Sequence, residues 1–600
     1  MIHTLIETGC PPSLIYIFGA LLVPFLKGKV KAAYMLLIPI VSFAIVAGVD
    51  IHGGSRWVYS LLTFGPEYNL ILGRIDSLSR IFGFIFMIIT FISLIYAIKV
   101  NDDLQYMAGL FYAGGALGVT FAGDLFSLYI FWEIMAIAST FLILARRTKA
   151  SQAAAFRYVM VHIVGGLSLL AGIVLYIQTY HTTQFSYIGL TGPASWFIFF
   201  GVAVNAAVIP LHGWLKDAYP EATAAGAVFL SAFTTKSAVY VMARMFPGAD
   251  LLIWLGAAMT ALPIFYAVLE NDIRRVLAYS LINQVGFMLC GIGIGTQLAL
   301  NGAAAHAFCH ILYKALLFMS AGAVMEMTGK TRCTDLGGLY RTMPLTCIFC
   351  IIGAASISAF PLFSGFVSKS MIISAAGYEH LVLVWFIFQF ASAGVFHHAG
   401  IKVPFFMFFG HDSGLRPKEA PTNMLIAMGM AAFLCIYLAV DFKTLYNLLP
   451  FPVDYVPYTS AHVVGQLQLL MFGALAFCLL ILSGIYPSEI RAEHLDTDWF
   501  YRKGAVLFYA LADVCMNTIN KVCDFLFANK LTSMINTFAK NAPATLALLV
   551  LLPFKGMMSS KEGEPSFKDR VNQAFATGSL PVGITAAVTT LFIVALFILK

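Results

Sequence analysis

Charge is scarce in this chain. Asp, Glu, Lys and Arg make up 11% of its 600 residues, while 60% are hydrophobic. That balance excludes a soluble globular protein and predicts one that crosses a membrane many times. The patterns of nucleotide and cluster chemistry are missing too. There is no Gly-x-Gly-x-x-Gly fingerprint, no P-loop and no iron–sulfur spacing. Ten cysteines are scattered without a metal pattern. Cys347 and Cys350 form a C-x-x-C, but within the apolar run LTCIFCIIGA, where packing is the expected role. The chain is therefore expected to have no catalytic residue, metal or cofactor of its own. The net charge of +7 does not suggest nucleic acid, because much of it lies in short loops, where it sets orientation. Met1 to Cys10 lacks the basic start of a signal peptide, so the first apolar run is expected to stay as a helix.

Apolar runs recur with short punctuation. They predict helices near 12–27, 31–49, 78–99, 105–122, 125–145, 153–178, 195–211, 222–245 and 251–269. Others are expected near 274–292, 298–326, 344–359, 361–376, 381–409, 423–441, 465–486 and 579–599. Lys27, Lys29, Lys31, Arg146, Arg147, Lys149, Arg274, Arg275, Lys330, Arg332 and Arg341 fall in loops on one side by alternate counting. The positive-inside rule makes that side cytoplasmic and places the amino terminus outside. Pro-Leu interrupts two runs, at Val208–Trp214 and Ala359–Gly365. Proline removes a backbone donor and clashes with the preceding turn, so both helices should break. Broken helices in a membrane are tolerated where they line a cavity, and a matched pair suggests an internal repeat. From Arg491 the charge density rises, Ala505 to Lys540 reads as an amphipathic helix, and Ser559 to Ser579 reads as a polar loop.

Against this apolar background, titratable residues inside helices stand out. His306, His310 and Lys314 occur at intervals of four in NGAAAHAFCHILYKALLFMSAGAVMEM. Four residues advance a helix by about 400° and roughly 6 Å, so the three share one face. One or two waters could bridge such a step. Groups of this kind are costly in a bilayer and normally face a bundle interior or a wet cavity. A packing histidine and a snorkelling lysine would be the bland reading; three groups on one face favour a proton path. Glu133 sits in the middle of GDLFSLYIFWEIMAIASTFLIL and Lys236 in the middle of FLSAFTTKSAVYVMAR. Lys369 follows the second break, where freed carbonyls or solvent are available to it. Glu270, Asp272, Arg274 and Arg275, in ENDIRR, read as a cytoplasmic helix cap.

Six stretches carry a resemblance: FSLYIFWE, PLHGWLKDAYPEA, FTTKSAVY, ENDIRRVLAYSLINQVGF, HAFCHILYKALLFMSAGAV and FPLFSGFVSK. Together they resemble the antiporter-like subunits of respiratory complex I and Mrp-type sodium/proton antiporters, with the D-type Mrp protein the nearest. The likeness runs in unbroken order from about Phe82 to Gly410. It implies an all-α polytopic fold of about fourteen core helices with two inverted five-helix repeats and a broken helix in each. Carried over, Glu133 matches the fifth-helix glutamate, Lys236 the eighth-helix bridging lysine and Lys369 the lysine of the broken twelfth helix. His306, His310 and Lys314 match polar positions of the second repeat. The chain departs from the family at Asn205, where relatives usually carry the lysine that partners the glutamate. Lys216 replaces the proline of the usual WLPDA, and a surface change is expected there. The tail after Arg491 is similar in pattern to the lateral helix and anchor of the largest complex I subunit of this type.

The implied function is ion translocation along a mid-membrane Glu/Lys/His axis, moving H⁺ alone or in exchange for Na⁺. The chain would act beside other membrane subunits of a hetero-oligomeric complex in the plasma membrane. The alternative is an energy-coupling subunit of a hydrogenase, a quinone oxidoreductase or an inorganic-carbon uptake system. The expected divisions are 1–104 for amino-terminal helices, 105–250 and 251–410 for the repeats, 411–490 for further core helices and 491–600 for the extension.

Overall fold

A computed structural model describes residues 10–49, 57–64, 68–487, 490, 495–557, 563–576 and 582–598. Residues 1–9 and 491–494, which belong to the expectations for the amino terminus and the start of the tail, lie outside the described residues. So do 558–562 and 577–581.

Among the described residues the chain is all-α apart from one hairpin. In order come α1 (Pro12–Leu22), α2 (Gly28–Ala47), β1 (Trp57–Phe64), β2 (Tyr68–Ile75), α3 (Ser77–Ala97), α4 (Asp103–Phe121), α5 (Leu125–Leu144) and α6 (Lys149–Tyr180). There follow α7 (Pro193–Asn205), α8 (Gly213–Ala218), α9 (Ala224–Ala232), α10 (Thr234–Met245), α11 (Asp250–Leu269), α12 (Ile273–Ile294) and α13 (Gln297–Thr328). Then come α14 (Pro344–Ile357), α15 (Ser364–Tyr378) and α16 (Val382–Val395), which runs on through π-helical turns to Phe409. Last in the core are α17 (Thr422–Val440), α18 (Phe442–Tyr446) and α19 (Ser460–Leu482). Among the described residues, 12 helices are long and apolar enough to cross a membrane. The least exposed of these are α9–α10, α12 and α13, and those helices carry most of the polar residues singled out above.

Both proline-marked runs break as expected, and they break alike. Helix α7 ends with Ala207 at φ +56°, and α14 ends with Ala359 at φ +56°. In each, the next amide reaches five residues back: Val208 N–H to the Ala203 carbonyl and Phe360 N–H to the Ala355 carbonyl, both 3.0 Å. This is the Schellman cap, adopted here by alanine rather than glycine. Its strain is held in place by the packing around it.

Three features were not anticipated. The run 222–245, expected as one helix, breaks at Phe233 without a proline or glycine. Side chains replace the missing ladder bonds: Thr234 N–H donates to the Tyr112 hydroxyl (3.0 Å), and the Lys236 ammonium donates to the Ser231 carbonyl (2.6 Å). The β1–β2 hairpin is antiparallel, from Trp57 opposite Ile75 to Phe64 opposite Tyr68. Its second strand docks on the α4–α5 turn, where Ile71 N–H donates to the Asp124 carboxylate (2.6 Å) and Gly123 N–H to the Ile71 carbonyl (2.9 Å). The polar stretch 559–579 contains a helix, α22, described below.

Asp76 caps α3 just outside the apolar span. Its carboxylate accepts from Ser79 N–H (2.9 Å) and pairs with Arg244 (2.8 Å). Burial pushes this carboxyl up, but Arg244, Ser79 N–H and Arg74 outweigh it and hold it at about 2, against 3.8 ordinarily. The lowered value means that the ionised form stabilises the fold. That contribution, about 2 kcal/mol, is complete above pH ~4 and lost as the pH falls through about 2. The melting temperature of the purified chain should therefore drop over that window. Asp76→Asn should have a lower melting temperature at neutral pH and a smaller acid-induced drop, measured by thermal unfolding at pH 7, 4 and 2.

Residues 499–600 form a second compact unit. It consists of α20 (Asp498–Cys523) from Trp499 onwards, a π-helical stretch Asp524–Leu531, α21 (Thr532–Leu551), α22 (Phe567–Ala576) and α23 (Val582–Ile598). The 54-residue helix from Asp498 to Leu551 is about 80 Å long and includes the expected amphipathic segment.

Candidate functional site

Helix α13 carries His306, His310 and Lys314 through the middle of the core, all three fully buried. The imidazole of His306 lies between two elements. Its Nε2 is 3.1 Å from Gln284 Oε1 on α12 and its Nδ1 is 3.1 Å from Ser368 Oγ on α15. The Tyr313 hydroxyl donates to the same Gln284 oxygen (3.2 Å). The Ser368 hydroxyl is also within reach of the Ser364 carbonyl (3.1 Å). Turned that way, Ser368 leaves both ring nitrogens facing acceptors, which suits a protonated ring. Turned back, it donates to a neutral ring. His306 can thus gain or lose a proton without losing its contacts.

His310 is one turn further on, its ring centroid 6.2 Å from that of His306 and perpendicular to Tyr313 at 5.2 Å. Among the described residues neither of its ring nitrogens has a hydrogen-bond partner, and nor does Lys314 Nζ, which lies 6.0 Å from the centre of the Phe318 ring. Buried polar groups are normally satisfied, so three orphaned nitrogens in succession on one helix require a functional reason or water.

Two further lysines approach this helix, each anchored at a helix break. Lys236 Nζ donates to Ser231 O at the α9–α10 break (2.6 Å). Lys369 Nζ donates to Ile357 O, the last carbonyl of α14 (3.1 Å), and lies 5.1 Å from the Phe287 ring. The charge of Lys236 acts on His306, His310 and Lys314, and that of Lys369 on both histidines. The structure thus brings five of the six selected residues together as bases, with no carboxylate among them. Repulsion in a low-dielectric interior limits how many protons they hold at once and couples their occupancy.

Glu133 stands apart. It is half-buried on α5, and its Oε1 rests against Gly166 of α6 with no hydrogen bond. Among the described residues it forms no ion pair, with Lys236 or any other cation. Asn205 ends α7, and its Oδ1 is 2.8 Å from Nδ1 of His162 on α6.

Sequence reasoning missed several polar residues. His162 lies in VMVHIVGG, and His397, His398 and Lys402 lie in VFHHAGIK. The criterion that selected His306, a titratable group within an apolar run, would have found all four. His398 is fully buried in the π-helical turn Phe396–Ile401, within the field of Lys314. Lys402 caps α11 by donating to the carbonyls of Val268 (2.6 Å) and Glu270 (2.7 Å). Gln284 and Ser368 carry no sequence signal beyond being polar.

Lys216 requires a correction. It is not a surface residue but only 8% exposed. Its ammonium is 2.8 Å from Asp498, while the neighbouring Asp496 takes His212 (3.2 Å) and the Tyr279 hydroxyl (2.8 Å). A surface was expected because the segment that buries it lies almost 300 residues later in the chain. In ENDIRR, Asp272 caps α12 as expected, accepting from Arg274 N–H (2.9 Å) and Arg275 N–H (3.1 Å).

A polytopic helical membrane protein with a buried basic axis between two broken helices defines a class, and comparison with known proteins gives the family. Residues 122–394 match the family described as NADH:quinone oxidoreductase/Mrp antiporter, TM. An NADH-quinone oxidoreductase subunit (type N) of Desulforudis audaxviator is 32% identical over 58% of this chain and 74% of its own length. An Na(+)/H(+) antiporter subunit (type D) of Alkalihalophilus pseudofirmus is 29% identical over 60% of this chain and 78% of its own. A chain of the membrane-bound sulfane sulfur reductase, an archaeal respiratory membrane complex, superposes with a TM-score of 0.65 at 25% identity, covering 74% of this chain and 95% of that one. The chain belongs to the NADH:quinone oxidoreductase/Mrp antiporter transmembrane family.

Proposed function

We propose that this chain is a proton-translocating subunit of a multisubunit membrane complex, alone or in exchange for Na⁺, with its amino terminus outside and its basic loops in the cytoplasm. The observation that carries the reading is the row of buried bases from Lys236 through Lys314, His310 and His306 to Lys369. Each end of the row is tied to a carbonyl freed by a helix break. Such breaks give ions access to the middle of a membrane protein. The paired breaks at Ala207 and Ala359 support two related halves, 105–250 and 251–410. Glu133 is the acid of the first half. Subunit names among the relatives support partners in the membrane.

The second reading is a subunit of a redox-driven complex. It is favoured by the likeness to the sulfane sulfur reductase chain, and it changes the energy source but not the axis. Both readings are tested by Glu133→Gln in the assembled complex. The variant should insert and assemble normally, since glutamine is neutral and of the same shape, and should lose about 100-fold in ion-coupled transport. Transport at the wild-type rate would refute the proton-site role of Glu133.

A further inference from the structure

Asn205 and Glu133 are the parts of the first half left without a base. The residue between them is His162. It lies on α6, 4% exposed, and its Nδ1 is 2.8 Å from the Asn205 carbonyl oxygen. With that oxygen turned to the ring, Nδ1 carries the proton and Nε2 is left with its lone pair. Nε2 is buried and has no hydrogen-bond partner among the described residues. Gly166, one turn further along α6, is the residue against which Glu133 Oε1 rests, so close that an added methyl would collide with it. The ring and the carboxyl therefore share one face of α6, about one helical turn apart.

Aromatic neighbours hold the ring in position. Tyr158 and Trp214 lie 4.0 and 4.7 Å from the imidazole, centroid to centroid. Both are held in place: the Tyr158 hydroxyl by Ser139 (2.8 Å), and Trp214 by its N–H on the Val204 carbonyl (2.9 Å).

We propose that His162 is the base that takes up and passes on the proton beside Glu133, held in the required tautomer by Asn205. The inference rests on the ion-translocating reading given above. The Glu133 carboxyl gives up its proton, through water, to Nε2; the products are a carboxylate and an imidazolium. Release of that proton from Nε2 towards the Lys236 side restores the neutral ring. Other charged groups on the elements packed around α6 have their own partners: Asp217 pairs with Arg157, Lys216 with Asp498 and Glu221 with Arg146. Glu133 is the one acid left to exchange with His162 among the described residues of these elements.

The test measures transport against pH in membrane vesicles carrying the whole complex. His162→Gln keeps a polar side chain of similar size but cannot titrate. It should lose at least about tenfold in rate. Asn205→Lys in the His162→Gln background puts an amine on the same side of α7. It should restore part of the rate, with the pH of half-maximal transport moved upwards, which repair of a merely structural defect would not do. Wild-type rate and pH profile in His162→Gln, with Glu133→Gln inactive, would overturn the role of His162 alone. So would a His162→Gln loss that Asn205→Lys leaves unrelieved. Wild-type transport in Glu133→Gln and in Lys314→Met would instead remove the ion-translocating reading itself.

Discussion

Replacing Lys314 with methionine is expected to cut ion-coupled transport by about 100-fold or more while leaving the protein as stable as before, or more so. A group that relays protons contributes about 10²- to 10⁴-fold to rate. Methionine is unbranched, apolar and adaptable, so the packing of α13 should survive. The stability half of the expectation comes from what Lys314 lacks. Its ammonium is fully buried without a hydrogen bond or ion pair among the described residues. Removing an uncompensated buried charge relieves the fold instead of costing it. Thermal unfolding and transport measured on the same preparation would separate the two effects. A destabilised variant would mean that Lys314 has a structural partner; a stable and active one would mean that protons bypass it.

Gly365→Val should do the opposite, damaging structure first and transport as a result. A side chain at Gly365 would strike the Ser356 carbonyl in the last turn of α14. That carbonyl is backbone and cannot swing aside, so the break from Ser358 to Phe363 must open. Overpacking of this kind costs about 1–3 kcal/mol. The opening also moves α15, which places Lys369 one turn later against the Ile357 carbonyl. The melting temperature should fall, and transport should drop by about tenfold even in the fraction that remains folded. Gly429→Ala is the control, since an added methyl there meets only Phe349 at an ordinary 3.5 Å. Equal behaviour of the two variants would show that the second break does not position Lys369.

Much of the fold was legible because a bilayer allows few choices. Apolar runs of about 18–22 residues become helices, and titratable residues within them stand out from the background. His306, His310 and Lys314 were readable from spacing alone, and the two proline-marked breaks from the chemistry of proline. The break at Phe233 was not readable, because its causes are Tyr112, more than 100 residues away, and the side chain of Lys236 itself. The burial of Lys216 depends on Asp498, which no local pattern connects to it. The β1–β2 hairpin lies between apolar runs and is fixed by the α4–α5 turn. Asn205 was visible as a departure from the family, but its meaning came from His162, which only the packing of α6 on α7 brings to it.

The central claim is that protons cross this subunit by way of its buried lysines. The most direct measurement is proton flux, followed with a pH-sensitive dye, in proteoliposomes containing the complete complex. Wild-type is compared with the triple variant Lys236→Met, Lys314→Met and Lys369→Met. Assembly is checked by co-purification of the other subunits. The account predicts that the triple variant assembles and passes no coupled proton flux above empty liposomes. Wild-type flux through an assembled triple variant would contradict it.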